Sequence, residues 1–308
     1  MKVAGRSDAA TTDASSVTAM AEGGDRSARR GKPAALYFGG ILVSIVVLVA
    51  FLSLLWTPYD PESIDVAQRL YPPATDGYLL GTDRLGRDVL SQIMAGARVS
   101  LFVSALATSA AVLPGVTLGL IAASVGRVWR VVLGRVIDLG VAFPGILVAL
   151  VLVTAMRPGR LATITALTIW FVPLVARFTI GPARQILAQE YVEAARACGR
   201  SRAFILVRHV FPNITPILIV LASTLFASAI LIEAALSYLG LGVPRPAPSW
   251  GRLLQEGQGL VAEMPTLVIY PGIAIVIAVL GFNLLGDGLR AVTDPQRTTR
   301  DTLNRDST

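Results

Sequence analysis

Six long apolar runs separated by short polar segments organise this chain. Ala34–Trp56 carries no charge, and a second uncharged run lies within Val99–Gly126. A third spans Val136–Met156 with Asp138 near one end, and a fourth, Leu161–Ile180, is interrupted by Arg177. The fifth, Ile214–Tyr238, holds Glu233 near its end, and the sixth, Met264–Gly286, holds Asn283. A helix needs about 20 apolar residues to cross about 30 Å of hydrocarbon, so each run predicts a transmembrane helix. Only Arg157-Pro158-Gly159-Arg160 joins the third to the fourth, which predicts an antiparallel hairpin. Gly115 and Gly119 predict a close helix–helix approach. Trp56 and Trp129 fit interfacial anchors, whereas Trp170 lies mid-run and is expected to pack against a neighbouring helix.

The polar segments set a direction. Residues 1–33 are rich in Ala, Ser, Thr, Gly and charge, which predicts a disordered tail. The first apolar run is longer than a signal-peptide core and follows that tail, so it is expected to be a retained anchor. Placing the N-terminus inside makes residues 1–33, 127–135, 177–212 and 289–308 cytoplasmic, and these hold 19 of the 27 Lys and Arg residues. That bias follows the positive-inside rule, with the Arg157/Arg160 hairpin running against it. The resulting division is a tail (1–33), a first helix with its outer loop (34–98), a five-helix core (99–290) containing a cytoplasmic loop (183–212), and a second tail (291–308).

Composition narrows the chemistry. The chain is 54% hydrophobic and 15% charged, against about 25% charge for a soluble domain. The net charge of +7 is almost all arginine and is dispersed between apolar runs, which suits membrane topology better than nucleic-acid binding. Cys198 is the only cysteine and His209 the only histidine, so neither a disulfide nor a recognisable metal or nucleophile set is expected. No Gly-x4-Gly-Lys-[Ser/Thr] loop occurs, so no nucleotide site or other cofactor is expected in this chain.

Residues 190–213 are polar and basic, stranded between apolar runs. Residues 190–198 favour helix, with Ala194, Ala195 and Ala197 offering a thin face for close approach. Gly199 permits the positive φ that ends a helix. Ser201 is expected to cap a second short helix with Phe204, Val207 and Phe211 on one face. Pro212 is expected to stop that helix, with Asn213 capping the fifth span and Pro216 tolerated in its first turn.

This segment resembles the EAA loop of ABC-type importer permeases, in which Glu-Ala-Ala is followed by Gly after three residues and, nine residues further, by aliphatic-x-Leu-Pro. Glu193-Ala194-Ala195, Gly199 and Pro212 match in register, while His209 replaces the aliphatic residue and Phe211 the leucine. An Arg-His pair before the proline is similar to the peptide-and-nickel branch of that family. Leu80–Asp88, Glu233–Pro244 with Pro248–Gly251, and Asn283–Arg290 with Asp294-Pro295 also resemble C-type dipeptide and oligopeptide permeases.

The resemblance implies an all-α membrane protein of six helices with a cytoplasmic helix-turn-helix, as in type I importers. It implies that Glu193, Ala194, Ala195, Arg196, Gly199, Ser201, His209 and Pro212 couple to a separate ATPase, Glu193 meeting a basic group there. Implied partners are a homologous B-type permease, two ATPase subunits that bind ATP, an extracytoplasmic solute-binding protein facing residues 57–98 and 239–263, and a peptide substrate. The alternative cargo is a nickel chelate or glutathione. The rival class is an ion-driven secondary transporter, which predicts charged sites at mid-depth. Intramembrane polar groups are functional candidates by default, which marks Asp138, Glu233 and Asn283 for the pathway. Their structural alternatives are an Asp138–Arg135 pair along one helix, a Glu233 that reaches the interface, and an Asn283 that bonds one helix to another.

Overall fold

The computed structural model describes residues 34–293. The expected tail 1–33, and Asp294-Pro295 with the rest of the C-terminal tail, lie outside the described residues. Helices α1 (Ala34–Leu55), α2 (Val89–Ser124), α5 (Arg160–Leu187), α8 (Phe211–Tyr238) and α10 (Thr266–Thr293) form the bundle. Each of these runs is long and apolar enough to cross a membrane. The second run is longer than the hydropathy pattern predicted because Asp88 caps α2 ten residues earlier, its carboxylate accepting from Ser91 N–H at 2.8 Å.

The third predicted span is not one helix. It is α3 (Arg127–Ala142) and α4 (Gly145–Ala155), bent by 83° at Phe143-Pro144. Proline has no N–H to donate and forces its predecessor out of helical geometry, and Phe143 is extended at ψ 135°. The signal was present in the sequence as Pro144. The hairpin itself holds: α4 packs on α5 across residues 156–159.

Helix contacts set the relative directions. A Cβ on Gly115 would lie 2.6 Å from Val175, and one on Gly119 would lie 2.6 Å from Thr179 and 2.7 Å from Ala176 O. The constant offset of 60 residues makes α2 and α5 parallel, in the most extensive contact among helices α2 to α10. Gly39 meets Leu284 and Leu285, Gly281 meets Leu42, and Gly288 meets Leu36, so α1 and α10 run antiparallel. Both ends of the described chain therefore lie at one end of the bundle. Trp170 packs against Gly145 of α4, as its mid-run position predicted.

At the opposite end, residues 56–88 and α9 (Trp250–Gly257) form a cap. Trp250, 2% exposed, donates from its indole to Ile93 O at 3.1 Å. Gly96 makes room for that ring, since a Cβ there would sit 3.1 Å from it.

Candidate functional site

The loop begins with α6 (Glu190–Ala197), whose first turn carries Glu190 and Glu193. Val192 is fully buried and roots the helix, while Glu193, Ala194, Arg196 and Ala197 are exposed. Gly199 has φ +76°, and beyond its two chain neighbours no described atom stands within 4 Å of a Cβ built there. The glycine is required by backbone conformation and not by crowding. Ser201 then caps α7 (Arg202–Ile205), its hydroxyl accepting from Phe204 N–H at 3.3 Å.

Beyond this point the structure corrects the sequence. Pro212 does not stop the second helix. Arg202 through Tyr238 form one continuous helical run, with a π turn at Leu206–Val210 between α7 and α8. The wider turn accommodates a proline whose missing N–H would break a regular α ladder. Asn213 accordingly caps nothing; its amide donates to His209 O at 2.6 Å inside the helix.

The π turn also splits the predicted apolar face. Phe204 meets the His209 ring and carries the Arg200 guanidinium 4.9 Å from its centroid. Val207 and Phe211 instead line a groove against α2. His209 lies between Phe204 and Tyr191, 5.8 Å from each ring, and so ties α6 to α7.

The intramembrane candidates separate. Asp138 pairs with Arg177 at 2.9 Å, linking α3 to α5, and not with Arg135 as sequence spacing suggested. Glu233 does not reach the interface: it is fully buried, and its Oε1 accepts from Ser237 Oγ at 2.7 Å. The hydroxyls of Ser100 and Ser249 also stand beside it, so α2, α8 and the turn into α9 meet at one carboxyl. Asn283 is exposed on α10 and, among the described residues, bonds no other helix. The three do not converge on one site.

Sequence reading missed the polar centre of the cap. Arg87 reaches Asp83 at 2.6 Å and Glu256 at 2.5 Å, while Arg252 and Arg245 bond the second Glu256 oxygen at 3.2 and 3.0 Å. Burial alone would push the Glu256 carboxyl up, but Arg87, Arg252 and Arg245 together hold it below its ordinary value. Burial likewise opposes the Arg87 charge, and the two carboxylates outweigh it. Five charges from separate segments meet there, and the local signals were the four-residue spacings of Asp83 with Arg87 and of Arg252 with Glu256.

Residues 115–299 match the family model described as binding-protein-dependent transport system inner membrane component. The chain is 36% identical over 258 residues to the dipeptide transport system permease protein DppC of Alkalihalophilus pseudofirmus, covering 84% of each. It is also 36% identical to the glutathione transport system permease protein GsiD of Pectobacterium atrosepticum, covering 83% of this chain and 85% of that one. Among solved structures it resembles a chain of the MetNI methionine ABC transporter in inward-facing form, with TM-score 0.55 and 17% identity over 66% of this chain and 96% of that chain. That likeness concerns the fold. The chain belongs to the family of binding-protein-dependent transport system inner membrane components and is a multi-pass membrane protein.

Proposed function

We propose that this chain, as a member of that family, forms one half of the membrane pathway of an ATP-driven importer of di- and oligopeptides. The observation that carries this reading is the continuity of Arg202–Tyr238. Movement at α7 passes through the π turn into α8 without a break in the helix. A loop built in this way transmits displacement as a rigid lever.

In this reading both ends of the described chain and the α6–α7 loop are cytoplasmic, as the distribution of basic residues supports. A homologous B-type subunit completes the pathway, and two ATPase subunits bind ATP and grip the loop. Glu193, Ala194, Ala195, Arg196 and Ser201 offer the gripped surface, Gly199 sets its turn, and His209 and Pro212 join it to α8. An extracytoplasmic solute-binding protein delivers cargo to the cap formed by 57–98 and 239–263. Peptides are favoured by the dipeptide-transport relative, and the glutathione relative supports a second reading with a short peptide-like thiol as cargo.

Proteoliposomes containing this chain with its neighbouring permease, ATPases and binding protein test the reading. Uptake of labelled dipeptide that requires ATP and every subunit is the expected result. Uptake by this chain alone under an ion gradient would overturn it.

A further inference from the structure

The loop end of the bundle holds a cleft of about 650 Å³ between the end of α2, the start of α3, the end of α5 and the α6–α7 turn. Five arginines line it: Arg130, Arg184, Arg196, Arg200 and Arg202. Among the described residues, Glu193 is the one acidic group in that lining. Among the described residues, none of the five forms an ion pair with a carboxylate. Two are aimed by main-chain carbonyls, Arg130 at Val125 O (3.2 Å) and Arg196 at Leu187 O (3.4 Å). Like charges lining one cleft repel one another, and the planar fork of a guanidinium suits phosphate oxygens.

What adjoins the cleft decides the ligand. Next to Arg130, Trp129 is 65% exposed and Val128 75% exposed, the composition of a membrane–water boundary. On the membrane side an apolar groove of about 460 Å³ runs between α2 and α8. Leu113, Thr117 and Leu120 of that groove share one face of α2 with Ser124 of the cleft, at three- and four-residue spacing. On the other wall the groove begins at Val207, the residue after Leu206 of the cleft. A cationic cleft at the boundary, with an apolar groove beginning at the next lining residues along both walls, matches an amphiphile with a phosphate head. We propose that this site binds an anionic phospholipid, its phosphate on Arg130 and Arg184, which lie outside the α6–α7 loop, and one acyl chain in the α2–α8 groove. A free phosphate ion would leave the groove unused, as would an acidic protein face.

The leaflet follows from the orientation proposed above, but lipid binding itself does not. The assembled transporter, delipidated in detergent, is titrated with phosphatidylglycerol or phosphatidylcholine, and retained lipid is counted by native mass spectrometry. Phosphatidylglycerol is expected to be retained over phosphatidylcholine. Arg130→Gln combined with Arg184→Gln should weaken phosphatidylglycerol binding about tenfold or more, given the usual contribution of each basic residue to anionic-lipid attraction. Leu120→Trp, which fills the groove, should weaken it with the arginines intact. Equal retention of the two lipids, or retention unchanged in both variants, overturns the assignment. Displacement of phosphatidylglycerol by millimolar inorganic phosphate would assign the cleft to a soluble anion. Loss of the ATPase from the double variant with lipid retention unchanged would assign it to an acidic protein face. If the double variant fails to assemble, the lipid preference of the wild-type complex and the Leu120→Trp result decide the question.

Discussion

Arg87 stands 2.5 Å from Glu256 across 169 residues of sequence, and both side chains are nearly buried. The pair ties the segment before α2 to α9 and so closes the cap. Folding holds the Glu256 carboxyl below its ordinary value of 4.5. Its contribution to stability is therefore complete above pH 4.5 and is lost as pH falls through the depressed value. The cap should loosen in acid, read as proteolytic sensitivity of residues 57–88 between pH 6 and pH 3. Glu256→Gln should loosen it already at neutral pH and remove the acid transition; an unchanged acid midpoint in that variant would refute the link.

At the α2–α5 contact, Gly119 faces Ala176 O, a backbone atom that cannot swing aside. Gly119→Val should force the helices apart at a cost of about 1–3 kcal/mol, lowering the melting temperature of the purified chain. Gly134→Val, inside α3 with no described atom within 4 Å of a Cβ built there, is the matched control and should change little.

Gly199 separates conformation from bulk, because its surroundings are open while its φ is +76°. Gly199→Val should cost about 1–2 kcal/mol of left-handed strain and abolish peptide uptake with the protein still in the membrane. Asn enters this region more readily than other residues with a Cβ, so Gly199→Asn should retain more uptake than Gly199→Val. Equal loss in both variants would mean that an added side chain, and not the turn, is what the loop refuses.

Cys198, the only cysteine in the chain, is exposed at the end of α6. In the proposed orientation a membrane-impermeant maleimide should leave it unlabelled in intact spheroplasts. The same reagent should label it in inside-out vesicles stripped of the ATPase. Labelling of intact spheroplasts would invert the topology while leaving the fold and the family untouched.

Much of this protein was legible in one dimension. The hydrocarbon core demands long apolar helices, so the bilayer-crossing runs showed as hydropathy. The positive φ at Gly199, the Ser201 cap and the close approach at Gly115 and Gly119 were equally readable, because each depends on the chemistry of one residue or on spacing along one helix. Pro144 was a readable break that an unbroken apolar run concealed.

The three-dimensional structure decided what depends on which distant segment arrives. Asp138 had Arg135 three residues away, but that side chain does not reach it, and packing of α3 on α5 brought Arg177 instead. Glu233 lay near the end of an apolar run, and packing of α2 and the turn into α9 against α8 set it among serines from three segments. Pro212 read locally as a stop, yet a π turn widened the ladder and carried the helix through. Local sequence specifies backbone preference and burial period. Charge partners and the fate of a proline depend on long-range packing, which places groups far apart in the chain within a few ångströms of one another.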